Sequence, residues 1–234
     1  MRSIPGLALG TYYAVNAEAA RSSAHASSMR ELVYLVKNNR VPPLTPRKIP
    51  HPELKQTVSV EDAPRYIADL MAPHFDEHAA ILGLARDENL KLVPIPSSSV
   101  TFDTIATDRW PAYKLAQELA RKGLAPAVPA VVNQVPSKAK TTGHRRSPQV
   151  IGSGYNVWRQ RRPETSVLFI DDVLTHGDNL IAMDRALGCP NHVAVLVVAL
   201  TDSLPVTDCF DVRRFRVEYN EQDEQAKPVC HVER

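Results

Sequence analysis

The stretch Val167-Leu168-Phe169-Ile170-Asp171-Asp172-Val173-Leu174-Thr175-His176-Gly177-Asp178-Asn179-Leu180 is the one on which the reading of the fold turns. An apolar run of strand length carries two adjacent acids to its end, and a tight turn containing Gly177 then leads into a helix. Three further apolar runs of strand length lie at 91–96, 128–135 and 193–200. Between the first two, Ala112, Leu115, Ala116, Leu119 and Ala120 recur at helical spacing after Pro111, and Gly123 stands at the expected C-terminus. A second helix is expected over 180–187, closed by Gly188 and Pro190. Near-continuous apolar strands alternating with helices pair in parallel and are buried on both faces, so an α/β fold with a doubly wound, mostly parallel sheet is predicted. Ligands in such sheets sit outside the carboxyl ends of the strands.

Toward the N-terminus, Ser28 and Glu31 have capping-box spacing, and Met29, Leu32, Val33 and Val36 define an amphipathic helix running to about Asn39. Five prolines between Val41 and Pro52 argue against regular structure there. Another helix is expected from Ser59 through Ile67, Leu70 and Met71, ending before Pro73. The chain therefore divides into an N-terminal helix and Pro-rich cap or linker (1–58), a core (59–202) and a C-terminal extension (203–234). The alternating stretch 210–219 of that extension either adds an edge strand or frays.

With 234 residues, 44% hydrophobic and 23% charged, the chain is an ordinary globular one with room for a full core. The segment 4–15 faintly resembles a signal peptide, but Pro5, Gly6 and Gly10 interrupt its apolar centre, and it is read as an ordinary N-terminal segment. Cys189, Cys209 and Cys230 are too few and too dispersed for a disulfide framework, which fits a reducing, cytoplasmic setting, and no run is long enough to span a membrane. The formal net charge of +2 is a cancellation. Residues 119–163 contain nine Lys and Arg and no acid, and the remainder of the chain carries −7. Such a block is a solvated face, an anion-closing loop or a nucleic-acid surface; aromatics within it are limited to Tyr155 and Trp158.

The unpaired N–H groups of a helix behind a Gly-containing turn suit a phosphate, and paired carboxylates beside them suit sugar hydroxyls. Together they describe a pocket for a phosphorylated ribose, with a strand end bearing solvated acids and a helix cap as the plain alternative. A Walker B strand would need an upstream GxxxxGK[ST] loop, and no Gly here is followed by Lys. His74-Phe75-Asp76-Glu77-His78 matches a short HxxEH pattern, but no third ligand accompanies it, and Cys230-His231 reads as a frayed tail.

The 167–180 stretch resembles the phosphoribosyl-pyrophosphate (PRPP) signature of type I phosphoribosyltransferases, in particular ComF-like members. The 29–36 helix with Lys37 and Arg40, the Leu92-Val93-Pro94-Ile95-Pro96 strand and the 149–157 segment are similar to other parts of that family, so the resemblance covers 13–200. It implies a sheet of phosphoribosyltransferase type with a helical N-terminal cap, binding PRPP with Mg2+ and transferring the phosphoribosyl group to a nitrogenous base or amine. By the same resemblance Asp171 and Asp172 bind ribose hydroxyls, and Thr175, His176, Gly177, Asp178 and Asn179 wrap the 5′-phosphate. Ser97, Ser98 and Ser99 fall at the pyrophosphate loop. The basic 137–147 segment with Lys138, Lys140, Arg145 and Arg146 falls where a mobile loop closes. Mg2+ would be held mainly by the ligand, with Asp171 or Asp172 acting through water.

His176 and Asn179 stand where the family commonly has Thr, and Asp178 brings a carboxylate beside the phosphate. A second reading therefore stays open: a non-catalytic sensor or effector of the same fold that binds PRPP, another phosphorylated nucleotide or nucleic acid in DNA uptake, DNA handling, regulation or defence. A homodimer or a protein partner also stays open, and the acceptor has no recognisable code.

Overall fold

The computed structural model describes residues 1–12, 24–37, 47–50, 55–58, 62–81, 89–105, 110–135, 147–158, 166–201, 212–223, 225 and 227–233. Its strands are β1 (Arg2–Tyr12), β2 (Arg47–Pro50), β3 (Lys55–Val58), β4 (Leu90–Pro94), β5 (Val131–Asn133), β6 (Tyr155–Val157), β7 (Ser166–Leu174), β8 (His192–Thr201), β9 (Arg213–Tyr219) and β10 (Val229–Val232). Its helices are α1 (Ala24–Lys37), α2 (Ala63–Ile81), α3 (Pro111–Arg121), α4 (Pro148–Gly152) and α5 (Asp178–Ala186). The main sheet has the order β10-β9-β1-β8-β7-β4. Strands β1, β8, β7 and β4 run parallel, and β9 and β10 close one side antiparallel. The fold is thus mixed α/β with a six-stranded, mostly parallel sheet, as the run-and-helix alternation predicts.

Alternation along the strands sorts the core onto two faces. Leu7, Leu9, Leu92, Leu168, Ile170, Leu196 and Val198 pack with Met29, Leu32 and Val36 of α1, Ile67 and Met71 of α2, and Leu115 and Leu119 of α3. On the other face, Ile4, Ala8, Val93, Phe169, Val195 and Val197 pack with Leu180, Ile181 and Met183 of α5. These strands are buried on both sides, which is why they read as nearly unbroken apolar runs.

Several expectations are corrected. Residues 2–12, assigned by sequence to the cap, are an interior strand between β8 and β9. Gly6 belongs there because the Phe215 ring of β9 lies against it, and any Cβ would run into that ring. The 128–135 run does not enter the main sheet as a full strand. Its 131–133 portion pairs antiparallel with β6, and only a single bridge, Leu92 with Ala127, joins that run's leading edge to β4. In the Pro-rich segment, Arg47–Pro50 forms a two-stranded hairpin with Lys55–Val58, where one outward edge needs no N–H donor and Pro50 is tolerated. The second helix does not stop before Pro73. It runs from Ala63 to Ile81 with the exposed Pro73 inside it, anchored by buried Ala63, Tyr66, Ile67, Ala68 and Met71 on the inner side. Helices α1 and α2 share the core on one sheet face rather than only capping the strand ends, and α1 also reaches the end of β7 through Lys37. In the described part of the tail, the alternating stretch forms interior strand β9 rather than an edge, β10 forms the edge beyond it, and His231 Nε2 lies 3.4 Å from Glu218 Oε2. His74 and Glu77 lie on the α2 backbone with side chains outside the described residues, as does Cys209 entirely.

The connections of β4 and β7 position the site. From β4 the chain crosses by α3 on one face to residues 126–128, which lie outside β4: the Leu92 N–H donates to Pro126 O (2.9 Å) and the Val128 N–H to Leu92 O (2.8 Å). From β7 it crosses by α5 on the opposite face to β8, in the other direction. Neighbouring parallel strands whose connections diverge in this way define a topological switch point, and their carboxyl ends open a crevice.

Candidate functional site

At that switch point the last β4–β7 register pair is Pro94 with Ile170, followed by a bond from the Ile95 N–H to Ile170 O (2.8 Å). Pro96 then turns the β4 chain away, and Asp171 and Asp172 come next on β7. The Asp172 N–H donates to Asp171 Oδ1 (2.8 Å), and the Val173 N–H to Asp172 Oδ1 (2.6 Å). Strand alternation changes phase across this pair. Ile170 and Val173 both pack toward the α1 side, while Phe169 and Leu174 pack toward α5.

Burial pushes the Asp171 carboxyl well above the usual carboxylate range, and the neighbouring Asp172 charge pushes it further. Burial also raises Asp172, an effect eased by Lys37 at the end of α1, whose Nζ lies 3.8 Å from Asp172 Oδ1. Two half-buried carboxyl groups thus face one partly exposed ammonium, and the pair holds protons more readily than ordinary carboxyl groups do. Lys37 joins the site because α1 packs along the sheet face and its last turn reaches the strand ends; the sequence motif alone does not place it beside Asp172.

The 97–99 loop after β4 is tightly held. Val100 N–H donates to Ser97 O (3.0 Å), and the buried Asn133 of β5 donates its Nδ2–H to Ser97 O (2.8 Å) and Val100 O (2.7 Å). Ser97 Oγ and Ser99 Oγ are 3.4 Å apart. Thr101 and Thr104 cap the following 3-10 turn, Phe102–Thr104, with the Thr101 N–H donating to Thr104 Oγ1 (2.8 Å). The Trp110 indole N–H donates to Ile95 O (2.9 Å) from beneath. Asn133, Thr101 and Trp110 are therefore supporting residues that sequence reasoning missed. A polar Asn ending an apolar run was the one available signal.

After β7, Thr175 and His176 are exposed, Gly177 is buried, and α5 begins at Asp178. Gly177 has φ +83°, and a Cβ there would lie 3.0 Å from Val217 Cγ1 and 3.5 Å from Pro228 Cβ, so β9 and the segment before β10 seat the turn from behind. Thr175 Oγ1 lies 3.2 Å from Thr201 Oγ1 at the end of β8. Asn179 is partly buried, and Asp178 is 4% exposed, placing a carboxylate in the first turn of α5. A carboxylate there complements the helix dipole, the same charge position a bound phosphate would take.

The structure therefore brings Asp171, Asp172, Thr175, His176, Gly177, Asp178, Asn179 and the Ser97, Ser98, Ser99 loop to the carboxyl ends of two adjacent strands. Lys138, Lys140, Arg145 and Arg146, together with Arg159, Arg161 and Arg162 of the basic block, lie outside the described residues. The described members Arg121 and Lys122 are ion-paired with Glu118 and Asp69. Among the described residues no group of three or more His, Cys, Asp and Glu side chains is arranged to hold a metal, and no helix is long and apolar enough to cross a membrane. No protein-family model matches this chain, and no curated protein matches it.

Proposed function

We propose that this protein is a phosphoribosyltransferase-like enzyme that binds PRPP and transfers its phosphoribosyl group to a nitrogenous base or amine. The observation that carries the reading is the adjacent Asp171–Asp172 pair at the carboxyl end of β7, at the switch point, followed by the left-handed Gly177 turn into α5. In the transfer, the acceptor nitrogen forms a bond to the anomeric carbon and the bond from that carbon to the pyrophosphate oxygen breaks. The leaving pyrophosphate takes the electron pair, and the acceptor loses its proton to solvent. Asp171 and Asp172 accept hydrogen bonds from the ribose hydroxyls and sit beneath the positive charge that develops on the sugar. The Ser97, Ser98 and Ser99 loop receives the pyrophosphate, and Lys138, Lys140, Arg145 and Arg146 supply positive charge to it.

The acid pair suits a hard cation: two adjacent, half-buried carboxyl groups offer oxygen donors at the strand end, and the partly exposed Lys37 contacts Asp172 alone of the two. Mg2+ bound with PRPP would neutralise charge on the leaving group, with Asp171 or Asp172 reaching it through water. The test is pyrophosphate release from PRPP across a panel of bases and amines. Turnover is expected in the wild type and lost in Asp171→Asn; no turnover with any acceptor overturns the enzymatic reading.

One observation favours a second reading, a non-catalytic sensor or effector. The Asp178 carboxylate is buried in the first turn of α5, where it competes with a ligand phosphate for the helix N-terminus. That reading expects thermal stabilisation by PRPP with Mg2+, by nucleoside monophosphates or by single-stranded DNA without turnover, the DNA effect falling steeply with salt.

A further inference from the structure

We infer that Phe102 and Trp158 form a stacking platform for a planar nitrogen heterocycle, the acceptor of the proposed transfer; the inference rests on that reading of the site. The two rings come from different elements. Phe102 follows the 97–99 loop at the start of its 3-10 turn, and Trp158 follows β6. Their centroids are 5.1 Å apart with an interplanar angle of 62°, an edge-to-face pair.

Phe102 is 55% exposed although it lies in a well-braced part of the molecule. Its turn is held by the Thr101 and Thr104 bonds, the parallel bridge of Thr101 with Asn133 fixes it to β5, and Asn133 in turn pins Ser97 and Val100. The Trp158 backbone is anchored, its main-chain N–H donating to Ala130 O (2.8 Å). An exposed aromatic on a rigid support costs little ordering entropy on binding a flat ring. The pair also lies at the correct end of the sheet. The 127–133 segment runs parallel to β4 from the Leu92 level and reaches Thr101 beyond the carboxyl end, on the same side as Asp171.

In the sequence the basic block offers only Tyr155 and Trp158 as aromatics, which weighs against a nucleic-acid surface there. Tyr155 is indeed committed to the core, being 7% exposed. The fold supplies the missing partner from outside the block by bringing Phe102 to Trp158. Stacking on such rings is tolerant of base identity, which agrees with the absence of a recognisable acceptor code.

The chain contains two tryptophans, and the other, Trp110, is 1% exposed and hydrogen-bonded inside the fold. Both indoles emit, but buried Trp110 is shielded from a base in solution, so a ligand-dependent change in emission reports on half-buried Trp158. Full-length protein is titrated with adenine, hypoxanthine, uracil and a single-stranded oligonucleotide, each with and without PRPP and Mg2+, while PRPP binding is followed separately by thermal shift. The expected result is saturable quenching by at least one free base, abolished in Trp158→Phe and weakened about tenfold in Phe102→Ala, with the PRPP shift unchanged in both variants. A PRPP shift without quenching by any base overturns the platform and leaves the PRPP site standing. Quenching by the oligonucleotide alone overturns the small-acceptor assignment in favour of a nucleic-acid strand. Absence of both signals overturns the platform together with the proposed function.

Discussion

Lys37 Nζ, in the last turn of α1, stands 3.8 Å from Asp172 Oδ1 at the carboxyl end of β7. The contact joins an N-terminal helix to the acid pair and sets a cation beside Asp172. Its consequences are measurable through pH.

Asp171 and Asp172 both have folded-state pKa values raised above the unfolded value of about 3.9. The folded protein therefore holds more protons than the unfolded chain between that value and the raised ones. Stability from these groups is fully present below about pH 3.9 and is lost as pH rises through the folded pKa values. In Asp171→Asn this component of the slope should flatten, and the variant should gain stability at neutral pH. In Lys37→Met the decline should steepen, because Asp172 loses the charge that eases it. Denaturant midpoints at a series of pH values check both, and identical slopes in all three proteins would contradict the desolvated pair.

Gly177→Ala places a Cβ in a left-handed backbone and against Val217 Cγ1, and should destabilise by about 1–2 kcal/mol from the backbone conformation plus a packing penalty. Gly123→Ala is the matched control, with φ +85° and nothing within 4 Å of the added Cβ. A larger loss at Gly177 than at Gly123 in urea denaturation isolates the packing of the turn against β9 and Pro228.

At the other end of the sheet, fully buried Asp184 of α5 accepts from Arg2 Nε (2.5 Å), Arg2 Nη2 (2.9 Å) and the Tyr219 hydroxyl (2.6 Å). The network ties β1, α5 and β9 together. Burial works against the Arg2 charge, but the hydrogen bond and charge of Asp184 outweigh it and raise its pKa, while burial and Asp184 raise that of Tyr219. Asp184→Asn should cost about 3 kcal/mol by leaving Arg2 without its counter-charge, and Tyr219→Phe about 1 kcal/mol. Chemical denaturation measures both.

Asn133→Ala removes two side-chain bonds that hold the Ser97 and Val100 carbonyls. It should cost about 1–3 kcal/mol and weaken PRPP-induced thermal stabilisation, whereas Ser97→Ala should affect the ligand response with little loss of stability. Equal ligand responses in Asn133→Ala and wild type would separate the loop from the proposed site.

The residues 166–201 were legible as strand, turn, helix and strand because each part obeys a local rule. The apolar runs are continuous, Gly177 supplies the positive φ, and Gly188 (φ +76°) closes α5. The acid pair was legible as a candidate for the same reason, whereas the 97–99 loop was one only through the family resemblance. Other parts were hidden because their reasons lie far away in the chain. Arg2–Tyr12 is a strand through pairing with β8 and β9, and Gly6, which breaks its apolar pattern, is required by Phe215. Pro73 reads as a stop, yet its exposed position lets the helix pass through it.

By itself, the sequence determined the α/β class, the strands β4, β7 and β8 and the strand–turn–helix course of the 166–186 segment, since periodicity and turn residues act over a few positions. Only the tertiary structure decided that β4 and β7 are neighbours with diverging connections, that Lys37 reaches Asp172, and that Phe102 meets Trp158. Those relationships depend on sheet order and helix placement, which arise from burying two faces of one sheet at once and leave no trace in local spacing.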